Sequence, residues 1–83
     1  MLSEKRFVYV LQSIRDGRLY VGITGNVQQR VDTHNSGGSA YTAPYRPWRL
    51  VVAIEFATER QAVAFERYLK TGSGRAFARR HFV

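Results

Sequence analysis

Phe7-Val8-Tyr9-Val10-Leu11 is a run of residues that favour β-strands, and a second run follows at residues 18–24 (RLYVGIT). The first run is apolar on both alternations, which predicts a buried strand in the centre of a sheet. Arg15-Asp16-Gly17, between the two runs, has the composition of a turn. We therefore expect the two strands to form an antiparallel hairpin.

The length of the hairpin loop determines where two tyrosines lie, because side chains alternate between the faces of a strand. A loop with an even number of residues places Tyr9 and Tyr20 on the same face of neighbouring strands. A loop with an odd number places them on opposite faces. With a four-residue loop, Tyr9 lies opposite Gly22 and Tyr20 opposite Leu11. Gly22 has no side chain, so it leaves room for a ring or a phosphate to approach the sheet.

Capping signals predict the first helix and the strand after it. Asn26, with Gln29 three residues on, predicts a helix from Val27 to about Asn35, which Gly37 and Gly38 would end. The loop from Ser36 to Pro47 is long for so small a protein, and loops of this length are often functional. A third strand is predicted at residues 48–56.

The remaining chain predicts two more helices. Thr58 with Gln61 opens one that runs from Glu59 to about Lys70, and the Gly72-Ser73-Gly74 stretch is expected to end it. Residues 75–82 are expected to form a short, very basic terminal helix. The order ββαβαα predicts an α+β fold, with a three-stranded antiparallel sheet flanked by helices, in one domain over residues 1–83.

The chain of 83 residues carries a net charge of +7, which favours an anionic partner such as nucleic acid. Simple solubility is the alternative explanation. Of the 13 basic residues only Lys5 and Lys70 are lysines, and arginine has a planar fork suited to phosphate oxygens. The absence of cysteine excludes disulfides and thiolate metal sites, and a reducing cytoplasm is the expected compartment. No apolar run reaches the roughly 20 residues that cross a bilayer, and residues 1–6 are too short and too polar to begin a secretory signal.

Two predicted helices carry polar groups beside their apolar faces. Arg30 and His34 share a face with Val27 and Val31. They could serve a site, or they could be a snorkelling arginine and a half-buried histidine. Glu66 lies at the edge of the apolar stripe of the second helix, where a carboxylate is either used or paired, for example with Lys70 four residues on.

Together these positions supply two phenols, a guanidinium, an imidazole and one carboxylate around a common sheet. Such a set suits phosphodiester hydrolysis. One carboxylate is enough for a hydrated Mg²⁺, a guanidinium can stabilise phosphate oxygens, and a phenol or imidazole can accept a proton from water.

The motifs resemble those of the GIY-YIG nuclease domain, and most of all its small stand-alone bacterial members. Tyr9 stands at the first motif, which here reads FVY, and Tyr20-Val21-Gly22 stands at the second. Arg30, the HNSG stretch at 34–37 and Glu66 follow in the family's order. The segment YLKTGSGRAF at 68–77 is also similar to those small members.

The resemblance implies a role for each matching residue. Glu66 would bind a single Mg²⁺ or Mn²⁺ ion, and Tyr20 would act as the general base or position it. Arg30 would bind the scissile phosphate, Tyr9 would orient water or phosphate, and His34 would lie next to the nucleophile. Products would carry 5′-phosphate and 3′-hydroxyl ends, with DNA favoured over RNA as substrate, as in DNA repair. Apart from the resemblance, nucleic-acid contacts are expected from Gly22, Tyr41, Arg46 and Ser73. The charge density near the end of the chain predicts further contacts from Lys70, Arg75 and Arg79, with a solvated helix face as the alternative.

Two alternatives stay open beside the active nuclease. The fold could be a non-catalytic nucleic-acid-binding module, which the charge and the aromatic, basic loop favour. It could also be a partner-binding domain in which the motif residues are relics. A monomer or a weak homodimer is expected, and the sequence leaves the strand structure of the substrate open.

Overall fold

The structure, a computed structural model, describes residues 6–83; residues 1–5, which entered the argument about a secretory signal, lie outside this range. Its elements are, in chain order, β1 (Arg6–Ser13), β2 (Leu19–Thr24), α1 (Val27–Ser36), a 3₁₀ turn (Ala43–Tyr45), β3 (Trp48–Phe56), α2 (Glu59–Leu69) and α3 (Gly72–His81). The predicted α+β fold with the order ββαβαα is confirmed. None of the helices in residues 6–83 is long and apolar enough to cross a bilayer.

The sheet is antiparallel throughout, with β1 between β2 and β3. The Ser13 amide donates to the Arg18 carbonyl at 2.9 Å, which leaves residues 14–17 as a four-residue loop. Gly17 in this loop has a φ of 81°, a left-handed conformation that glycine adopts without strain. The even loop gives the predicted register, with Tyr9 opposite Gly22 and with Leu11 opposite Tyr20.

Side chains form the predicted caps of the first two helices. The Asn26 side chain accepts the Gln29 amide at 3.1 Å, and the Thr58 hydroxyl accepts the Gln61 amide at 3.3 Å. Helix α1 ends at Gly37, whose φ is 87°. These local signals act within a few residues, which is why the sequence predicts them well.

The prediction that residues 72–74 end a helix is wrong, because these residues form the first turn of α3. The Thr71 hydroxyl caps this helix by accepting the Gly74 amide at 3.1 Å. Gly74 is buried, and a Cβ there would overlap the Tyr68 carbonyl group. Glycine therefore serves a close approach between the end of α2 and the start of α3.

Two apolar clusters lie on the two faces of the sheet. Val8 and Val10 pack with buried residues of α2 and α3 on one face. Tyr9, Leu11 and Trp48 form the second cluster, against which Tyr20 and Val31 pack. The side chains of the first two motifs therefore share the face covered by α1 and the long loop.

Candidate active site

Tyr9 lies at the centre of the candidate site. Its side chain is 1 % exposed, and its hydroxyl lies 2.9 Å from Nε2 of His34. Its ring lies across Gly22, where a Cβ would be 2.5 Å from Cζ of the tyrosine. The missing side chain at Gly22 thus accommodates a ring, which was one of its two expected uses.

Tyr20 lies beside Tyr9 on the same face and is half-buried. The two phenol rings have centroids 6.3 Å apart, and the Tyr20 ring lies 4.8 Å from that of His34. On its outer side Tyr20 contacts Tyr41, with centroids 6.0 Å apart. Tyr20 therefore links the buried phenol to the surface.

Charges from two helices act on the Tyr9 hydroxyl. Burial raises the pKa of Tyr9, a hydrogen bond from Arg30 of α1 lowers it, and the negative charge of Glu66 on α2 raises it. The same hydrogen bond to Tyr9 raises the pKa of Arg30. A guanidinium and a carboxylate on different helices thus lie within electrostatic range of one phenol.

His34 is fully buried, with 0 % exposure, rather than half-buried. Burial lowers its pKa, and the nearby Arg30 charge lowers it further. The imidazole is therefore neutral at pH 7. Its second nitrogen, Nδ1, lies 2.7 Å from the Thr42 hydroxyl.

Glu66 forms the ion pair with Lys70 that was expected as the alternative to a functional role. The Lys70 ammonium lies 2.7 Å from Oε2 of Glu66. The Glu66 side chain is 17 % exposed, whereas that of Lys70 is 51 % exposed. The carboxylate is thus partly desolvated and accessible, and its partner is an exposed surface cation.

A candidate metal ligand among the described residues is a single carboxylate, that of Glu66. Within residues 6–83, no group of three or more histidine, aspartate or glutamate side chains is placed to hold an ion. A single carboxylate is compatible with an ion that keeps most of its water shell, as Mg²⁺ does. Glu66, partly buried and close enough to influence Tyr9, is the side chain that would hold it.

A groove with a basic wall begins at Tyr20. We call it the basic groove; it has a volume of about 770 Å³ and its cationic lining is Arg18, Lys70, Arg75 and Arg79. Tyr20 and Tyr41 line it as well, so it leads from these two rings to the end of α2 and to α3. This volume lies within the range of about 300–1,000 Å³ typical of ligand-binding clefts.

Comparison with known proteins assigns the chain to a family. Residues 5–80 match the family described as the GIY-YIG catalytic domain. The chain belongs to the GIY-YIG family. The resemblance found in the motifs is therefore confirmed, and with it membership of a group of nuclease-type catalytic domains.

Bacterial relatives of this GIY-YIG chain cover most of its length. It is 44 % identical over 71 residues to a UPF0213 protein of Bacillus licheniformis, covering 84 % of this chain and 72 % of the relative. It is 39 % identical over 71 residues to UPF0213 protein YazA of Bacillus subtilis, covering 84 % and 71 %. The solution NMR structure of a UPF0213 protein from Bacillus halodurans superposes with a TM-score of 0.54 at 32 % identity, covering 88 % of this chain and 80 % of that one.

Some residues expected to contact nucleic acid lie elsewhere in this GIY-YIG domain. Arg46 packs against Gly37 at the end of α1, and its Nε donates to the Ala43 carbonyl at 2.8 Å. Ser73 is exposed in the first turn of α3. Among the described residues, neither belongs to the lining of the basic groove.

Two residues that contribute to this region, Thr42 and Arg18, had not been expected from the sequence. Thr42 is fully buried and contacts His34, although it lies in a loop without periodicity. Arg18 lines the groove, stacks 3.6 Å above the Tyr45 ring and pairs with Asp16 at 2.8 Å. The turn composition around Arg18 indicated a hairpin but gave no signal that its side chain faces the site.

The long loop is held in place by side chains from both flanking elements. The Trp48 indole Nε1 donates to the Thr42 carbonyl at 2.9 Å. The Asn35 amide in turn bonds both backbone groups of Trp48, accepting from its N–H at 2.7 Å and donating to its carbonyl at 2.9 Å. Thr42 is thus fixed beside His34, the neighbour of Asn35.

Proposed function

We propose that the chain is a metal-dependent endonuclease that hydrolyses a phosphodiester of nucleic acid, with DNA favoured over RNA. One observation carries the proposal: the hydroxyl of a single buried phenol, Tyr9, interacts with His34 and is acted on by the opposite charges of Arg30 and Glu66. A phosphate beside this hydroxyl would meet a hydrogen-bond donor, a guanidinium and a site for a cation.

Each protein group has a defined task in this proposal. Arg30 holds a non-bridging oxygen of the scissile phosphate and stabilises the negative charge that increases in the transition state. Tyr9, a neutral phenol because burial raises its pKa, donates a hydrogen bond to the phosphate or to a water. Tyr20, beside Tyr9 and facing the groove, accepts or relays the proton of the attacking water.

Glu66 would hold one hydrated Mg²⁺ or Mn²⁺. When bound, such an ion neutralises charge on the phosphate and on the leaving oxygen. Release of the 3′ oxygen leaves products with 5′-phosphate and 3′-hydroxyl ends. The basic groove receives the phosphates that continue from the cleaved bond, through Lys70, Arg75 and Arg79.

The test is cleavage of labelled DNA and RNA substrates, single-stranded, duplex, flap and branched, with Mg²⁺, with Mn²⁺ and with chelator. Glu66→Gln should reduce the rate by at least about 100-fold. Glu59→Gln, an exposed carboxylate in the first turn of the same helix, is the matched control and should cleave like the wild type. Equal rates for Glu66→Gln and the wild type would reject the role of Glu66.

The Glu66–Lys70 ion pair favours a second candidate function, a nucleic-acid-binding module without catalysis. A carboxylate satisfied by lysine needs no metal. This candidate expects binding that weakens with salt, with a slope of about −0.7 to −0.9 per phosphate contacted. It also expects no effect of chelator on binding and no cleavage of any substrate.

A further inference from the structure

The hydroxyl of Thr42 is buried, and it contacts His34, the imidazole that lies next to the Tyr9 hydroxyl. Thr42 and His34 are both 0 % exposed, and 2.7 Å separates Oγ1 from Nδ1. The other imidazole nitrogen, Nε2, lies 2.9 Å from the Tyr9 hydroxyl. A neutral imidazole donates from one ring nitrogen and accepts at the other. The hydrogen bonds between Thr42, His34 and Tyr9 can therefore run in either of two directions.

In one direction, Nδ1–H donates to Thr42 and the Tyr9 hydroxyl donates to Nε2. The threonine hydroxyl must then direct its own proton to another acceptor. The nearest is the Ser39 carbonyl, at 3.4 Å, and this carbonyl already accepts the Ala43 amide at 3.0 Å. A hydrogen bond at 3.4 Å is weak, and the full burial of Thr42 leaves it no water as a substitute.

In the other direction, Thr42 donates to Nδ1 and Nε2–H donates to Tyr9. N–H···O hydrogen bonds are centred near about 2.9–3.0 Å, and about 2.7 Å is the short limit of their range. The 2.9 Å contact at Tyr9 therefore fits an N–H donor, and the 2.7 Å contact at Thr42, which is short for an N–H donor, favours the hydroxyl as the donor. Thr42 and His34 then each donate to a well-placed acceptor, and the Tyr9 oxygen accepts.

We propose that Thr42 is a positioning residue that donates its hydroxyl proton to Nδ1 of His34, holding the histidine as the Nε2–H tautomer and making it a hydrogen-bond donor to Tyr9. The backbone supports this role, because the indole of Trp48 holds the Thr42 carbonyl at 2.9 Å. The long loop thereby determines the direction of hydrogen bonding at the centre of the sheet.

The consequence falls on Tyr9. Its oxygen accepts hydrogen bonds from His34 and from Arg30. Neither of these two groups accepts the Tyr9 proton, so the hydroxyl can donate to a third group. Under the proposed function, that acceptor is a phosphate or water oxygen. With the opposite tautomer the Tyr9 proton would be held by His34, and Tyr9 could not donate to substrate.

The direct test is a long-range ¹H–¹⁵N correlation spectrum of the imidazole rings in uniformly ¹⁵N-labelled protein at pH 7.5. We expect His34 to carry its proton on Nε2. A ring protonated on Nδ1, or on both nitrogens, would overturn the assignment. His81, exposed on α3, gives a reference in the same spectrum.

Two variants test the part played by Thr42. Thr42→Ser keeps the hydroxyl and should retain the Nε2–H signature, whereas Thr42→Val removes it at similar volume and should give a mixture of tautomers at His34 with an unchanged His81. An unaltered His34 signature in Thr42→Val would show that Thr42 does not set the tautomer. Should Thr42→Val fail to fold, the spectra of the wild type and of Thr42→Ser still show which nitrogen of His34 carries the proton.

A kinetic test of Thr42 depends on the proposed function, because it measures cleavage. Thr42→Val should lower kcat by about 10–100-fold, the range for outer partners that orient site residues, with little change in KM, and Thr42→Ser should restore most of it. The tautomer is measured without metal or substrate. Absence of cleavage with an Nε2–H histidine would therefore reject the nuclease alone, and cleavage with an Nδ1–H histidine would reject the role of Thr42 alone.

Discussion

Tyr9 and Gly22 face each other across the β1–β2 ladder, and the Tyr9 ring occupies the space that a side chain at position 22 would need. The hydroxyl reaches His34 because the ring can lie flat over the glycine. The two residues therefore act as one unit, although they belong to different motifs of the sequence.

Gly22→Ala should destabilise the protein by about 1–3 kcal/mol, because a methyl group there overlaps the Tyr9 ring and the core must shift. Urea unfolding measures this change. Gly72→Ala is the control, since among residues 6–83 nothing lies within 4 Å of a Cβ at that helical position. It should leave stability unchanged or raise it by up to about 1 kcal/mol. Equal effects of the two substitutions would contradict the proposed contact.

Tyr9→Phe removes the partner of a buried imidazole nitrogen and should cost about 1–3 kcal/mol of unfolding free energy. Tyr20→Phe changes a half-buried phenol at the groove and should cost less than about 0.5 kcal/mol. Cleavage assays should show both variants impaired. If Tyr20→Phe matched the wild type in every assay, the motif residues would be relics of an earlier activity.

Stability should fall as the solution is acidified below about pH 6.5, the ordinary pKa of histidine. The pKa of His34 is lowered in the folded state, so the unfolded chain binds a proton that the folded chain excludes. Unfolding is therefore favoured between pH 6.5 and the lower folded value, with a slope of at most about 1.4 kcal/mol per pH unit for one proton. Urea titrations from pH 7.5 to 5 measure it.

The exposed histidine provides the control for that experiment. His81→Gln should keep the loss of stability at acidic pH, because the effect originates at the buried ring. A free energy of unfolding that stayed constant from pH 7.5 to 5.5 in the wild type would show that His34 gains its proton as easily in the folded protein as in the unfolded one.

Arg79 and Arg80 are adjacent, but of the two only Arg79 is among the described residues that line the basic groove. Arg79→Gln should weaken nucleic-acid binding and reduce the salt slope by about 0.7–0.9, the contribution of one phosphate contact. Arg80→Gln has the same change in charge and should have a smaller effect. Identical salt slopes for the two variants would indicate that net charge, rather than the groove, binds the ligand.

Lys70→Gln should change two affinities in opposite directions. It frees the Glu66 carboxylate from a 2.7 Å ion pair, so Mn²⁺ should bind more tightly, and it removes a cation from the groove, so nucleic acid should bind less tightly. Titration calorimetry with each ligand alone measures both. Arg67→Gln, an exposed cation one turn earlier on α2, should change neither. Weaker Mn²⁺ binding by Lys70→Gln would contradict the proposed competition.

The sequence predicted most of the fold because its decisive signals are local. The loop of residues 14–17 sets the register of the hairpin, and Asn26 and Thr58 cap helices through bonds to residues three positions on. Gly74 was misjudged because a glycine that permits close packing has the same appearance in a sequence as one that ends a helix. Only the proximity of the Tyr68 carbonyl distinguishes the two.

The candidate site was harder to predict because its parts meet through tertiary contacts. Helical spacing placed Arg30 and His34 on one face, and the structure places both beside Tyr9. Glu66 could be assigned to a site or to an ion pair, and in the structure it pairs with Lys70 while acting on Tyr9. No sequence pattern identified Thr42, because this loop residue meets His34 only when the loop packs against α1.

The two hydrogen bonds between Asn35 and Trp48 have a consequence beyond the loop they anchor. A carboxamide that accepts from a backbone N–H and donates to the carbonyl of the same residue reproduces what a neighbouring strand offers at one position. At the start of β3, an outer strand of the sheet, the Asn35 side chain occupies the position where the backbone of another chain could otherwise pair. Open strand edges recruit other chains into aggregates, so this side chain shields the end of β3 from such self-association.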